Sequence, residues 1–278
     1  MNILIWGAGN NGKVYLEYVD EFEKDNSVVG FLDNNPKLQG KKISSNVGAF
    51  YGKKGEVWSW DVFPPEKISD ITFDKVVVTN QSMEQIKEIK KQLRELDVAE
   101  DKIIVLMENI ELKRNVFSSV NRYDEMTDSR VRWLRDFAEF ACENKMSGNV
   151  AECGVYRGEF AYFINKYFKE KILYLFDTFE GFDKNDVAAE LELNDYAFNR
   201  GNFAKGNIFK VTDEDIVMRR MPFPNKCIIK KGYFPYSANG LEDIFCFVNL
   251  DMDLYKPMLS ALEYFYGRMT GGGGNSSA

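Results

Sequence analysis

The sequence predicts an α/β protein built as two Rossmann-like parallel-sheet domains in tandem. Three observations carry that prediction. Two short apolar strands, residues 3–6 and 149–153, each run straight into a glycine turn and then a helical pattern. The next apolar strand of each unit ends in a carboxylate, Asp33 in the first and Asp177 in the second. Strands and helices then alternate, an order that places helices on the faces of a parallel sheet. A chain of 278 residues is long enough to bury two separate cores.

In order along the chain, strand 3–6 feeds the turn Gly7-Ala8-Gly9-Asn10-Asn11-Gly12, and a helix is expected over 13–22 with Val14, Leu16 and Val19 apolar. Strand 28–32 ends at Asp33, and D-N-N-P after it is a turn signal. Residues 34–74 read as irregular, with Pro64-Pro65 inside. Strand 75–79, a charged amphipathic helix 83–96 and strand 103–106 complete a first domain at 1–107. Residues 108–129 lack a period and read as a connection. A helix over 130–144 follows, with Val131, Leu134, Phe137, Ala138 and Ala141 on one face. The second sheet takes strands 149–153, 172–177, 227–230 and 245–251 within a domain at 130–270. A long polar segment, 183–221, contains D-E-D-I-V-M-R-R, a helix with acids first and arginines last, as the helix dipole favours.

Composition sets limits on function. The net charge of −7 argues against a dedicated nucleic-acid binder. No apolar run is long enough to span a membrane, and the N-terminus enters a strand without a basic leader, so the cytoplasm is the expected location. Histidine is absent, which excludes histidine triads and histidine-ligated metals and leaves acid–base work to carboxylates, Lys, Tyr or Cys. Cys142, Cys153, Cys227 and Cys246 form no C-x-x-C pair and read as structural. The runs K-E-I-K-K-Q and G-K-K-G read as solvated surface.

The first turn, with Gly7, Gly9, Asn11, Gly12 and Asp33, matches a dinucleotide fingerprint in spacing and context. It also resembles the N-terminal domains of bacterial sugar O-acyltransferases, which implies a nucleotide or nucleotide-sugar as ligand. The competing reading is a domain kept for packing or assembly. The second turn, E-C-G-V-Y-R-G from Glu152 to Gly158, again joins a strand to a helix, and Asp177 is placed to accept ribose hydroxyls. Farther on, F-C-F-V-N-L-D-M-D-L-Y puts Asp251 and Asp253 at the carboxyl end of a buried strand, where one of them would otherwise cap the following helix.

E-C-G-V-Y-R-G, D-T-F-E-G-F, K-G-Y-F-P and L-D-M-D together resemble the macrocin-type (TylF-like) O-methyltransferases over about residues 130–270. The resemblance implies a class I methyltransferase fold that transfers a methyl group from S-adenosylmethionine to a hydroxyl of a small molecule or glycan. It implies cofactor contacts at Glu152, Gly154, Val155, Gly158, Asp177, Thr178, Gly232 and Phe234, and a Mg²⁺ site at Asp251 and Asp253. It assigns no catalytic base.

The family continues into a further strand and two further acids, whereas here the sequence runs into T-G-G-G-G-N-S-S-A, with 271–278 reading as a flexible tail. The second domain is therefore expected to be C-terminally truncated and its Mg²⁺ weakly held. The apolar strand F-C-F-V-N-L is expected either to pair with a second copy in a homo-oligomer or to be covered by 183–221. Two other functional classes stand beside the methyltransferase. One is a non-catalytic nucleotide-sugar-binding or assembly module. The other is an NAD-dependent oxidoreductase using the first domain, against which counts the absence of a Tyr-x-x-x-Lys arrangement there.

Overall fold

The computed structural model describes residues 1–44, 59–192 and 209–270. The G-K-K-G run, residues 193–208 of the long polar segment and the glycine tail lie outside the described residues. The chain divides into two compact units, 1–120 and 121–278. Both are α/β with mainly parallel sheets. No helix among the described residues is long and apolar enough to cross a membrane.

The first unit holds strands β1 (Asn2–Trp6), β2 (Ser27–Leu32), β3 (Lys42–Ser44), β4 (Ser59–Phe63), β5 (Lys75–Val78) and β6 (Ile103–Val105). They form one sheet in the order β3-β4-β2-β1-β5-β6, parallel except for β3 against β4. Helix α1 (Asn10–Phe22) buries Val14, Leu16 and Val19, the positions its period predicts. Helix α2 (Met83–Glu95) buries Ile86, Ile89 and Leu93 and is capped by Ser82, whose side chain accepts from the Gln85 N–H. The K-E-I-K-K-Q run lies on it, and Lys90 pairs with Glu108 at 2.6 Å.

Three elements escape the sequence pattern. β3 and β4 occupy the stretch expected to be irregular. Only Val62 of β4 is buried, and Trp60 is fixed by donating its indole N–H to the Val28 carbonyl at 2.8 Å. Helix α3 (Ile110–Ser119) occupies the stretch read as a connection and packs on α1. It buries only Val116 and Phe117, too few for a visible period.

The second unit begins with α4 (Ser129–Glu143), capped by Asp128, whose carboxylate accepts from the Arg130 and Val131 N–H groups. Its buried Val131, Leu134, Ala138 and Ala141 cover a sheet ordered β10-β7-β8-β9, parallel throughout. These strands are β7 (Asn149–Cys153), β8 (Leu173–Asp177), β9 (Cys227–Lys231) and β10 (Phe245–Leu250). Helices α5 (Glu159–Tyr167), α6 (Lys184–Glu192), α7 (Glu214–Arg220) and α8 (Tyr255–Tyr266) complete the α-helices among the described residues.

β10 ends this sheet among the described residues, and its first residue is nevertheless paired. Phe245 N–H donates to Arg268 O at 2.9 Å, and Thr270 N–H donates to Phe245 O at 2.8 Å. Phe247 packs against Trp133, Phe137 and Phe168. Within the long polar segment, α6 packs on α8 and α7 packs on α5. The last residue of α7 does more than complement a helix dipole. Arg220 is buried and donates to the Arg157 carbonyl at 2.9 Å.

Candidate active site

In the second sheet the chain leaves β7 for β8 on one side, while β10 returns on the other. The crevice at such a switch point, beyond the carboxyl ends of the strands, is where open α/β sheets hold ligands. A cleft of ≈ 250 Å³ lies at this place. It takes Glu152 and Gly154 from the end of β7, Asp177 and Thr178 from β8, Gly232 and Phe234 from the loop after β9, and Asp251 and Asp253 after β10. Val155 lines it as well.

The turn after β7 is held tightly. Gly154 has φ +85, and a Cβ there would lie 2.0 Å from the Asp251 carbonyl oxygen. Close backbone approach thus joins the glycine turn to the aspartate pair, and only glycine permits it. Tyr156 sits at φ 52, in the left-handed region that a bulky residue rarely adopts. Its N–H donates to Asp177 Oδ2 at 2.8 Å, its carbonyl accepts from the Thr212 hydroxyl, and its ring meets Phe209 edge-on. Strain of this kind persists where surrounding contacts over-determine it.

Asp177 is positioned before any ligand arrives. Besides Tyr156, the Phe179 N–H donates to its Oδ1 at 2.7 Å. Each carboxylate oxygen keeps a lone pair for a ligand hydroxyl. Glu152 is 2% exposed; its Oε1 accepts from the Asn249 side-chain amide at 2.8 Å, and the Ala161 N–H of α5 also favours the charged carboxylate. Oε2 is buried without a partner. Burial, and then the charges of Asp251 and Asp177, push its carboxyl well above the usual carboxylate range against the pull of Asn249. A buried orphan acceptor lining a cleft calls for a donor from the ligand.

Asp253 has φ 59, and its carboxyl is pushed up to about 6, by burial in the cleft first and by Asp251 second. The residue is exposed, so solvent screening limits what this costs the fold. Neither aspartate caps α8 among the described contacts. Its N-cap is Leu254 without a side-chain bond, and the Tyr255 N–H donates to Glu190 of α6. Among the described residues no three or more of Cys, Asp and Glu are grouped closely enough to hold a metal.

Some expected residues are used differently from their neighbours. Gly158 does not line the cleft. It is the left-handed N-cap of α5, and a Cβ there would crowd Met221 and Val217, so it serves the seating of α7. Thr178 donates its hydroxyl to Gly181 O at 2.8 Å, closing the turn after β8. Phe234 is both wall and core, packed on Phe176 and Phe265.

The cleft also has members that sequence reasoning did not find, namely Arg122, Tyr123, Glu159, Asp183, Asp186 and Phe209. Arg122 grips Glu159 with Nε 3.0 and 2.9 Å from the two carboxylate oxygens and with Nη2 on Oε2. Asp186, 4% exposed, accepts from the Tyr233 hydroxyl at 2.8 Å, which ties α6 to the loop after β9. That bond and burial push the Tyr233 phenol up to about 12, burial being the larger cause. An acid in the first turn of α5 is visible in the sequence, but a partner 37 positions earlier is a tertiary fact.

The first unit repeats the construction. Gly7 N–H donates to Leu32 O at 2.8 Å, as Gly154 N–H donates to Phe176 O at 2.9 Å. Asp33 Oδ2 accepts from the Ala8 N–H and Oδ1 from Asn35 two residues on, both at 2.8 Å. Asp177 is held in the same way, by a turn N–H on one oxygen and the N–H two residues on at the other. The three glycines have separate tasks. Gly7 has φ +115, a Cβ on Gly12 would lie 1.9 Å from Gly7 O, and a Cβ on Gly9 would meet nothing within 4 Å. Asn11 turns inward, donating to Thr79 O at 3.3 Å.

The family described as macrocin-O-methyltransferase (TylF) matches residues 121–274, more than half the chain and nearly the whole second unit. The chain belongs to this O-methyltransferase family. Among solved structures, the O-methyltransferase NovP is 21% identical with a TM-score of 0.40, over 50% of this chain and 60% of its own. RSP, a Rex-family repressor crystallised with β-NADH, is 17% identical with a TM-score of 0.27, over 52% of this chain and 63% of its own. The methyltransferase FkbM from Methylobacillus flagellatus KT is 10% identical with a TM-score of 0.26, over 95% of this chain and 76% of its own. The chain thus spans about 60% of the length of NovP. No curated protein matches it.

Proposed function

We propose that the second unit binds S-adenosylmethionine at the β7–β10 switch point and transfers its methyl group to a hydroxyl of a sugar or glycan. The observation that carries this reading is the convergence of Gly154, Asp177 and the unsatisfied Glu152 Oε2 on one cleft of a chain in this O-methyltransferase family. Asp177 would take the ribose hydroxyls, Glu152 Oε2 the ligand's ammonium, and the turn from Gly154 the methionyl stem. Bound cofactor supplies an electrophilic methyl group. The protein's part is to fix the acceptor oxygen in line with it and to keep water out.

Asp251 and Asp253 fit a Mg²⁺ that draws its remaining ligands from water and substrate, a common arrangement for this ion. The ion would supply Lewis acidity that orients an acceptor hydroxyl and lowers its pKa. Without the ion, Asp253 with its carboxyl near 6 would instead have the strength of a general base at neutral pH. Methyl transfer from labelled cofactor to a panel of sugars, with and without Mg²⁺, tests the whole reading. Transfer to none of them by a chain that binds the cofactor would favour a non-catalytic module.

Asp253 yields a signed stability prediction. Its folded pKa is raised, so the native state holds more protons than the unfolded chain between the ordinary carboxylate value of 3.8 and about 6. Stability therefore falls as pH rises through that window. Asp253→Asn, which tolerates φ 59, should raise the melting temperature at pH 8 and leave it unchanged at pH 3.5. The gain should be at most about 1 kcal/mol, since the residue is exposed. A lower melting temperature at pH 8 would count against a destabilising charge there.

A second ligand, a nucleotide or nucleotide-sugar in the first unit, is favoured by Gly9. Its φ of −79 and the open space at its Cβ give the protein itself no need of glycine. Close approach of a pyrophosphate does need it. Gly9→Ala should change stability by less than about 1 kcal/mol and abolish any thermal protection by nucleotides. Gly12→Ala should destabilise the unit itself, because its Cβ would collide with Gly7 O. Equal protection of the parent and Gly9→Ala by a nucleotide-sugar would show that the turn is not the site.

A further inference from the structure

Arg122 comes from the segment before α4 that carries no recognisable motif, yet it lines the cleft beside Gly154, Val155 and Tyr156. Among the described residues it is the sole Lys or Arg in that lining, which otherwise holds Glu152, Glu159, Asp177, Asp183, Asp186, Asp251 and Asp253. Glu159, whose side chain is 6% exposed, engages Nε and Nη2 of the guanidinium. The side chain of Arg122 itself stays 42% exposed, so the guanidinium is open to the cleft while Glu159 holds it. A planar guanidinium fixed along one edge by a buried carboxylate presents its other edge in a set direction. Asn121 adds to the fixation by donating to the Glu159 carbonyl at 3.0 Å.

An acidic cleft repels a ligand's carboxylate unless a cation meets it. Accepting the cleft as the cofactor site, we infer that Arg122 binds the methionyl carboxylate of the cofactor, with Glu159 as its positioning residue. Glu159 opens α5 directly after the turn that runs from Gly154 to Gly158, so the pair stands where the methionyl end lies if Asp177 holds the ribose. Glu152 Oε2 and Arg122 then divide the zwitterion between them, acid to ammonium and cation to carboxylate.

The test is calorimetric titration of the full chain with S-adenosylhomocysteine and with methylthioadenosine, which has the nucleoside and thioether but no amino-acid group. Arg122→Gln should weaken S-adenosylhomocysteine about tenfold or more, the scale of a charge-assisted hydrogen bond, and change methylthioadenosine less than about twofold. Arg122→Lys should restore part of the loss, and Glu159→Gln should reproduce it in milder form. Melting curves of the free variants show whether each is folded. Unchanged S-adenosylhomocysteine affinity in a folded Arg122→Gln overturns the inference. If turnover with an acidic acceptor falls while that affinity holds, the arginine serves the acceptor instead, and the inference also fails. Equal loss of both ligands by a folded variant overturns it too, because the carboxylate is then not what Arg122 reads. A parent that binds neither ligand overturns the cofactor reading on which the inference stands.

Discussion

Gly154→Ala is expected to destabilise the second unit by about 3–5 kcal/mol, the range of severe backbone clashes and lost left-handed conformations. The added Cβ would lie 2.0 Å from the Asp251 carbonyl oxygen and 2.6 Å from its carbon, both backbone atoms, at a residue with φ +85. Neither problem is relieved by rotating a side chain. The Asp251 N–H also donates to Cys153 O at 2.8 Å, so displacing Asp251 breaks the β7–β10 seam at the cleft. Thermal melting should show the second unit losing its transition or shifting far down, while the first unit, with its own core, retains one. A parent-like melting curve for Gly154→Ala would mean that the turn and the aspartate pair are not in this contact.

The second large effect is on binding. Asp177→Ala should weaken S-adenosylhomocysteine by about 2–4 kcal/mol, or roughly thirty- to a thousand-fold. Two losses add. The ligand hydroxyls lose their acceptor, and the Tyr156 and Phe179 N–H groups lose the carboxylate that holds the turns before and after it. Asp177→Asn keeps one acceptor oxygen and should fall between. An Asp177→Ala protein with parent affinity would remove the carboxylate from the site.

Much of this was legible in the sequence, for physical reasons. α4 could be read because Val131, Leu134, Ala138 and Ala141 recur on one face after an Asp128 cap. β7 and β8 could be read because strands buried on both faces are nearly continuous apolar runs. β4 was hidden because its alternation buries one residue, and α3 because two buried residues make no period. In the site, residues at strand ends were found because topology brings strand ends together. Arg122 and Asp186 were not, because their places follow from long-range partners, Glu159 and Tyr233. The identical pinning of Asp33 and Asp177 was likewise invisible, since it consists of backbone N–H groups that no residue type announces.

The central claim, that the second unit's cleft is the cofactor site, is tested most directly by titrating S-adenosylhomocysteine into the parent chain, Asp177→Ala and Asp33→Ala. Saturable binding at one site per chain is expected in the parent and in Asp33→Ala, with severe loss in Asp177→Ala. Binding that survives Asp177→Ala and disappears in Asp33→Ala would contradict the account, as would a folded parent that binds no S-adenosylhomocysteine.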